Sequence, residues 1–256
     1  METIEERFGL HGKIAIVTGG GSGIGKAIGL GLMSAGATVV ICGRRMEKLQ
    51  SVKEQAEKEG FLCDTYQLNI RDEAEVVKCV KTVKEKYGSI DILVCAAGYN
   101  NAQSAESFET ENWNTIIDTN LTGTFLCARE AGKVMKQQGK GKIISILSTF
   151  AFVARNGRAA YAASKGGGLQ LVKVLAYEWA KYGINVNALA PTATYTEMVP
   201  HLKNDPVLKK AMEDMIPLGR IAEPEDMVGT AIFLASKASD FVTGQTVLVD
   251  GGYTIW

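Results

Sequence analysis

Tyr161-Ala-Ala-Ser-Lys165 places a phenol four residues before an ammonium. The stretch lies in a helical pattern over about 158–182, and on a helix positions i and i+4 share one face. The lysine is therefore expected beside the phenolic oxygen. A free tyrosine titrates near ~10, and a neighbouring cation draws that value down toward the pH where a general acid or base works best. A surface lysine next to a half-buried tyrosine gives the same letters. The pair acquires chemical meaning only from the elements that position it.

Those elements follow one rule from the start of the chain. Residues 13–17 form a short apolar run, the mark of a buried strand, and Thr18-Gly-Gly-Gly-Ser-Gly-Ile-Gly25 leads from it into an amphipathic helix ending near Ala35. A glycine-rich turn between strand and helix lets backbone approach a pyrophosphate and aims free N–H groups at it. Gly19, Gly21, Ser22, Gly23, Ile24 and Gly25 are the candidates there, and a merely flexible turn is the alternative. The second strand, 38–42, runs into Gly43-Arg44-Arg45. An acidic residue at this point would take a ribose 2′-hydroxyl, whereas arginine accommodates a 2′-phosphate. Arg44 and Arg45 therefore favour NADP(H), with NAD(H) possible, unless they only begin the charged helix 46–59.

The same unit recurs. Strands are expected at 61–68, 91–94, 142–148, 184–189 and 246–249, and helices at 73–86 (capped by Asp72), 112–137, 158–182 and 224–235. Residues 192–217 read as an irregular substrate lid. Apolar strands alternating with helices imply a parallel sheet covered on both faces, a doubly wound α/β (Rossmann) fold. The expectation is one domain over 1–256 with its core at 12–252.

Bulk composition narrows the function classes. Lysine plus arginine equals aspartate plus glutamate at 28 each, so nothing calls for nucleic acid. No apolar run reaches the ~18 residues of a membrane span, and the acidic start Met1-Glu-Thr-Ile-Glu-Glu is the wrong charge for a signal peptide. Cys42, Cys63, Cys79, Cys95 and Cys127 form no CxxC pair and read as reduced, mostly buried thiols of a cytoplasmic protein. With only His11 and His201, neither histidine catalysis nor a metal site is expected.

These residues together resemble the short-chain dehydrogenase/reductase family in its ~250-residue form, over nearly the whole chain. The resemblance rests on Thr18-Gly19-x3-Gly23-Ile24-Gly25, Asn120 in Asn-Leu-Thr-Gly, Ser148, Tyr161-x3-Lys165, Ile184-Asn-Val-Asn187, Pro191 with Thr196, and Asp250-Gly-Gly252. It implies that Tyr161 is the general acid in carbonyl reduction and the base in alcohol oxidation. Lys165 would lower the tyrosine's pKa and hold the nicotinamide ribose. Ser148 would bond the substrate oxygen, and Asn120 would hold a water relaying protons to Lys165. Cofactor contacts would extend to Asn69, Ile70, Ala97, Gly98, Pro191, Thr192, Thr194 and Thr196.

Three positions depart from the family pattern. Cys95-Ala96-Ala97-Gly98 replaces Asn-Asn-Ala-Gly, Asn69 replaces an aspartate, and Pro191-Thr192 replaces Pro-Gly. None removes a catalytic group. Gly166-Gly167-Gly168 interrupts the tyrosine helix at about 1 kcal/mol per glycine relative to alanine. Either tight packing on the sheet or approach of a second subunit explains it. Family members pair through this helix, which implies a homotetramer or homodimer.

The substrate pocket is expected to draw on Tyr99 and Asn100, on Thr149, Phe150, Phe152 and Arg155, and on Tyr195 and Met198. Arg155 reads either as a bidentate partner for a carboxylate or as a solvated loop residue. In flavour the chain is similar to the gluconate 5-dehydrogenase and 2-deoxygluconate dehydrogenase groups, and to 3-oxoacyl reductases. The expected reaction interconverts a carbonyl and a secondary alcohol on a small organic molecule such as a sugar acid or polyol. The rivals are a 3-oxoacyl-thioester reductase and a non-catalytic NADP(H)-binding regulator.

Overall fold

Six runs rich in Val, Ile and Leu, and the more polar run Cys63–Gln67, become the strands of one sheet in the computed structural model, which describes residues 2–198 and 204–255. They are β1 (Ile14–Thr18), β2 (Thr38–Gly43), β3 (Cys63–Gln67), β4 (Ile92–Cys95), β5 (Gly141–Ile146), β6 (Ile184–Pro191) and β7 (Thr246–Val249). Their order is β3-β2-β1-β4-β5-β6-β7, every pair parallel. The expected doubly wound sheet is the one seen.

Alternating side chains serve two layers. Ile16, Leu93, Ile143 and Val186 face a core shared with α4 (Glu73–Tyr87), α6 (Gly123–Gln138) and α7 (Ala159–Trp179). Val17, Val94, Ile144 and Leu189 face the opposite core, shared with α2 (Gly23–Ser34), α3 (Met46–Lys58) and α9 (Val228–Ala235). Strand order reverses direction at β1 and β4, so the loops leaving their carboxyl ends part and open a crevice.

Several boundaries differ from the sequence expectation, each for a local reason. The single helix expected over 112–137 is broken into α5 (Thr110–Ile117), a π-helical turn Asp118–Thr122, and α6. The break seats Asn120, whose side chain bonds the backbone of Tyr99. The stretch 192–217 is not irregular throughout. Asp205 accepts from Val207 N and Leu208 N at 3.0 Å and Pro206 takes the first turn, starting α8 (Pro206–Asp214). Residues 199–203 of the expected lid lie outside the described residues. A short α1 (Ile4–Phe8) was not expected, although its capping box, Thr3 with Glu6, is written in the sequence.

Cys42, Cys79, Cys95 and Cys127 are buried free thiols, and Cys63 is partly buried. Among the described residues no helix is long and apolar enough to cross a membrane.

Candidate active site

The crevice at the carboxyl ends of the strands is a cavity of about 530 Å³, inside the range usual for small-molecule sites. Every expected site residue lines it except Asn120, Tyr99, Phe152 and Tyr195.

At one end lies the glycine turn. Gly19 and Gly23 hold φ of +71° and +52°, which side chains rarely adopt. A Cβ on Gly25 would sit 2.3 Å from the carbonyl oxygen of Gly19, so only glycine lets α2 start this close to β1. No side chain caps α2 and no acid occupies its first turn, leaving its N–H groups and positive dipole end uncompensated. That is the chemistry a pyrophosphate needs, and the residues present fit one.

The arginine end brings a residue the sequence reading missed. Arg45 Nη2 lies 3.1 Å from Glu197 Oε2 and 3.3 Å from Ser22 Oγ, and Lys48 Nζ lies 2.9 Å from Glu197 Oε1. Lys48 chiefly, with Arg45, holds the Glu197 carboxyl below its ordinary value. Arg44 lines the cavity and pairs with no carboxylate among the described residues. Asn69 Oδ1 accepts from Arg71 N at 3.2 Å, and Asn69 N–H donates to Glu75 at 2.7 Å. Glu197 could be found in the sequence only as an acid in a polar stretch, with no spacing to link it to Arg45.

At the opposite end Tyr161, on the first turn of α7, meets Ser148 at the end of β5. Ser148 caps the turn Thr149–Ala151, its Oγ accepting from Phe150 N at 3.2 Å. The Phe150 ring stands edge-on to Tyr161 at 6.2 Å. Burial raises the Tyr161 phenol above its ordinary value, opposed by the hydrogen bond from Ser148 and the charge of Arg158. Lys165, expected to draw the phenol down, does not figure among these influences. The Lys165 ammonium is turned into the protein, where it donates to the carbonyl oxygen of Ile146 at 2.8 Å, and burial lowers it to about 8.

Asn120 sits behind this group. Its Oδ1 accepts from Tyr99 N at 2.8 Å, and its Nδ2 donates to Tyr99 O at 2.9 Å and Ser164 Oγ at 3.1 Å. Its own backbone carbonyl accepts from Thr124 Oγ1 at 2.9 Å. The amide is thus committed to protein partners, and the expected water relay would have to use its main chain.

Asn100, Thr149, Phe150, Arg155 and Met198 line the tyrosine end. Tyr195 does not. Its backbone bonds Ala222 and its ring packs with Met212 and Ile221, because the bridge Thr194–Ala222 turns it away from the cavity. Tyr99 and Phe152 are not lining residues either. Unforeseen are Arg158, at the first residue before α7, and Leu208 and Met212 from α8. The apolar spacing of Leu208 and Met212, four apart, was the available signal. Of the three glycines in α7, two are explained within the chain. A Cβ on Gly167 would lie 2.9 Å from Leu121, and on Gly168 2.8 Å from Leu147, while Gly166 faces open space.

Comparison with known proteins agrees with this geometry. A family model described as enoyl-(acyl carrier protein) reductase matches residues 19–254. Gluconate 5-dehydrogenase of Gluconobacter oxydans is 37% identical over 97% of both chains. The NAD-dependent glycerol dehydrogenase of Listeria innocua is 37% identical over 98% of this chain and 97% of its own. A crystal structure of a gluconate 5-dehydrogenase from Burkholderia cenocepacia, in complex with NADP and tartrate, superposes with a TM-score of 0.96 at 38% identity, covering 99% and 100% of the two chains.

Proposed function

Since the chain belongs to the short-chain dehydrogenase/reductase family, we propose that it is an NADP(H)-dependent oxidoreductase interconverting the carbonyl and secondary alcohol of a sugar acid. The observation that carries this reading is the pairing of Tyr161 with Ser148 in a cavity whose far end is an uncapped helix N-terminus. Relatives named for gluconate and glycerol, and one solved with NADP and tartrate, support the polyhydroxylated substrate class.

A bound nicotinamide dinucleotide supplies or accepts the hydride. The remaining work falls to the chain. Ser148 orients the substrate oxygen, and Tyr161 gives that oxygen its proton as negative charge develops, or takes it in the reverse direction. Burial favours the protonated phenol, which suits reduction near neutrality. Lys165 would hold the nicotinamide ribose, and Asn120 fixes the loop at Tyr99. The amides at the start of α2 and Ser22 would hold the pyrophosphate, and Arg44 and Arg45 the 2′-phosphate, which is why NADP(H) is preferred to NAD(H). Assembly as a homotetramer or homodimer in the cytoplasm completes the reading, with a single domain and 192–217 as its lid.

The test is NADPH oxidation against keto-sugar acids, neutral keto-sugars and short 3-oxoacyl thioesters. Turnover highest on the keto-sugar acids is expected. A preference for the thioesters would favour the acyl reductase that the family description names. Arg44→Asp should weaken NADPH more than NADH; if NADPH binding survives unchanged, the 2′-phosphate assignment is wrong.

A further inference from the structure

Two arginines face the tyrosine end of the cavity without an acid to neutralise them. Arg155 and Arg158 both line it, three residues apart on the turn that leads into α7. Elsewhere in the protein Arg45, Arg71, Arg129 and Arg220 each pair with a carboxylate. Among the described residues neither Arg155 nor Arg158 does; Arg155 Nη1 instead lies 2.9 Å from the Met212 sulfur.

Arg158 is also held in place. Its guanidinium sits 5.9 Å from the centre of the Phe150 ring, and that ring is edge-on to Tyr161. Charge, aromatic ring and phenol thus lie in one contiguous row, which places the guanidinium beside the ring that abuts the proton donor. A half-buried charge without a counter-ion is costly unless a ligand brings one. Asn100 adds a complementary need, since its Oδ1 is buried on the same cavity with no hydrogen-bond donor. A molecule bearing both a carboxylate and hydroxyl groups would answer both.

We infer that Arg158 is the residue that selects anionic substrates, closing with Arg155 on the carboxylate of a polyhydroxy acid while Asn100 accepts from one of its hydroxyls. This rests on the reading of the site as a carbonyl/alcohol oxidoreductase. It goes further in assigning the selectivity to one side chain.

The experiment compares wild type, Arg158→Gln and Arg158→Lys in the reduction direction at pH 7, where burial keeps Tyr161 protonated in each. Each is given NADPH with a keto-sugar acid or the matching neutral keto-sugar. The expected result is a fall of roughly 30- to 100-fold in the ratio of kcat/KM for acid over neutral in Arg158→Gln, carried by KM for the acid, as befits a charge-assisted pair. Arg158→Lys should recover part of it. In parallel, D-gluconate is titrated into wild type and Arg158→Gln in the presence of NADPH, with which the alcohol cannot react, reading equilibrium binding. Weaker gluconate binding in the variant supports the inference even where neither keto-sugar is turned over, so failure of the proposed reaction is seen separately. A ratio and a gluconate affinity untouched by Arg158→Gln overturn it, as does a wild type that binds gluconate no better than a neutral polyol.

Discussion

The ammonium of Lys165 donates to the carbonyl oxygen of Ile146 at 2.8 Å and lies 5.6 Å from the centre of the Tyr161 ring. Burial lowers it from 10.5 to about 8. The sign follows. Between those two values the unfolded chain binds a proton that the folded protein does not, so stability gains as pH rises from about 8 toward 10.5. The gain amounts to about 3 kcal/mol when complete. Replacing Lys165 by Met removes it. The difference in unfolding free energy between Lys165→Met and wild type should therefore shrink across this window, measured by denaturant titration without cofactor. A difference independent of pH would contradict the buried ammonium.

The phenol of Tyr161 has two groups opposing its burial, Ser148 and Arg158. Alcohol oxidation requires the phenolate, so its rate should climb with pH up to the tyrosine's titration. Arg158→Gln removes a positive charge and moves that rising limb to higher pH. A limb at the wild-type position would mean that Arg158 does not act on the phenol.

Glu197 occupies both Arg45 and Lys48. The three side chains are half exposed, so the interaction is weak and screened. Glu197→Gln should free the two cations and tighten NADPH binding by roughly two- to fivefold, with NADH changed less. Weaker NADPH binding in the variant would show instead that Glu197 positions Arg45 for the cofactor.

Gly166 is the glycine in α7 that the chain's own packing does not require. In an isolated protomer Gly166→Ala should stabilise the helix by up to about 1 kcal/mol. If a partner subunit approaches there, the added methyl lowers the mass seen by light scattering while the helical circular dichroism is kept. That second result is the expected one. Gly167→Ala, which meets Leu121, should weaken the fold itself.

The sheet and the glycine turn were legible because their signals are local: apolar runs of strand length, and Thr18 to Gly25 between a strand and a helix. Tyr161, Ser148 and Lys165 were legible through spacing and family resemblance, although the direction in which Lys165 points was not. A sequence gives the helix face but not whether an ammonium finds a backbone carbonyl deeper in the protein. Glu197 and Arg158 escaped because nothing in their neighbours' identities says which loops meet across the crevice. Tyr195 was misplaced for the converse reason: its backbone N–H bonds the carbonyl oxygen of Ala222, 27 residues away, next to the bridge from Thr194. The π-turn at Asn120 likewise depends on a partner, Tyr99, that helical periodicity cannot reveal.

The most direct measurement is turnover by Tyr161→Phe beside wild type, with NADPH and the best keto-sugar acid, alongside cofactor binding followed by nicotinamide fluorescence. Phenylalanine keeps the ring against Phe150 and removes the hydroxyl that carries the proton. The account predicts NADPH binding within a few-fold of wild type and kcat reduced by about 10²-fold or more. Turnover that persists near the wild-type rate would contradict the assignment of Tyr161 as the proton donor.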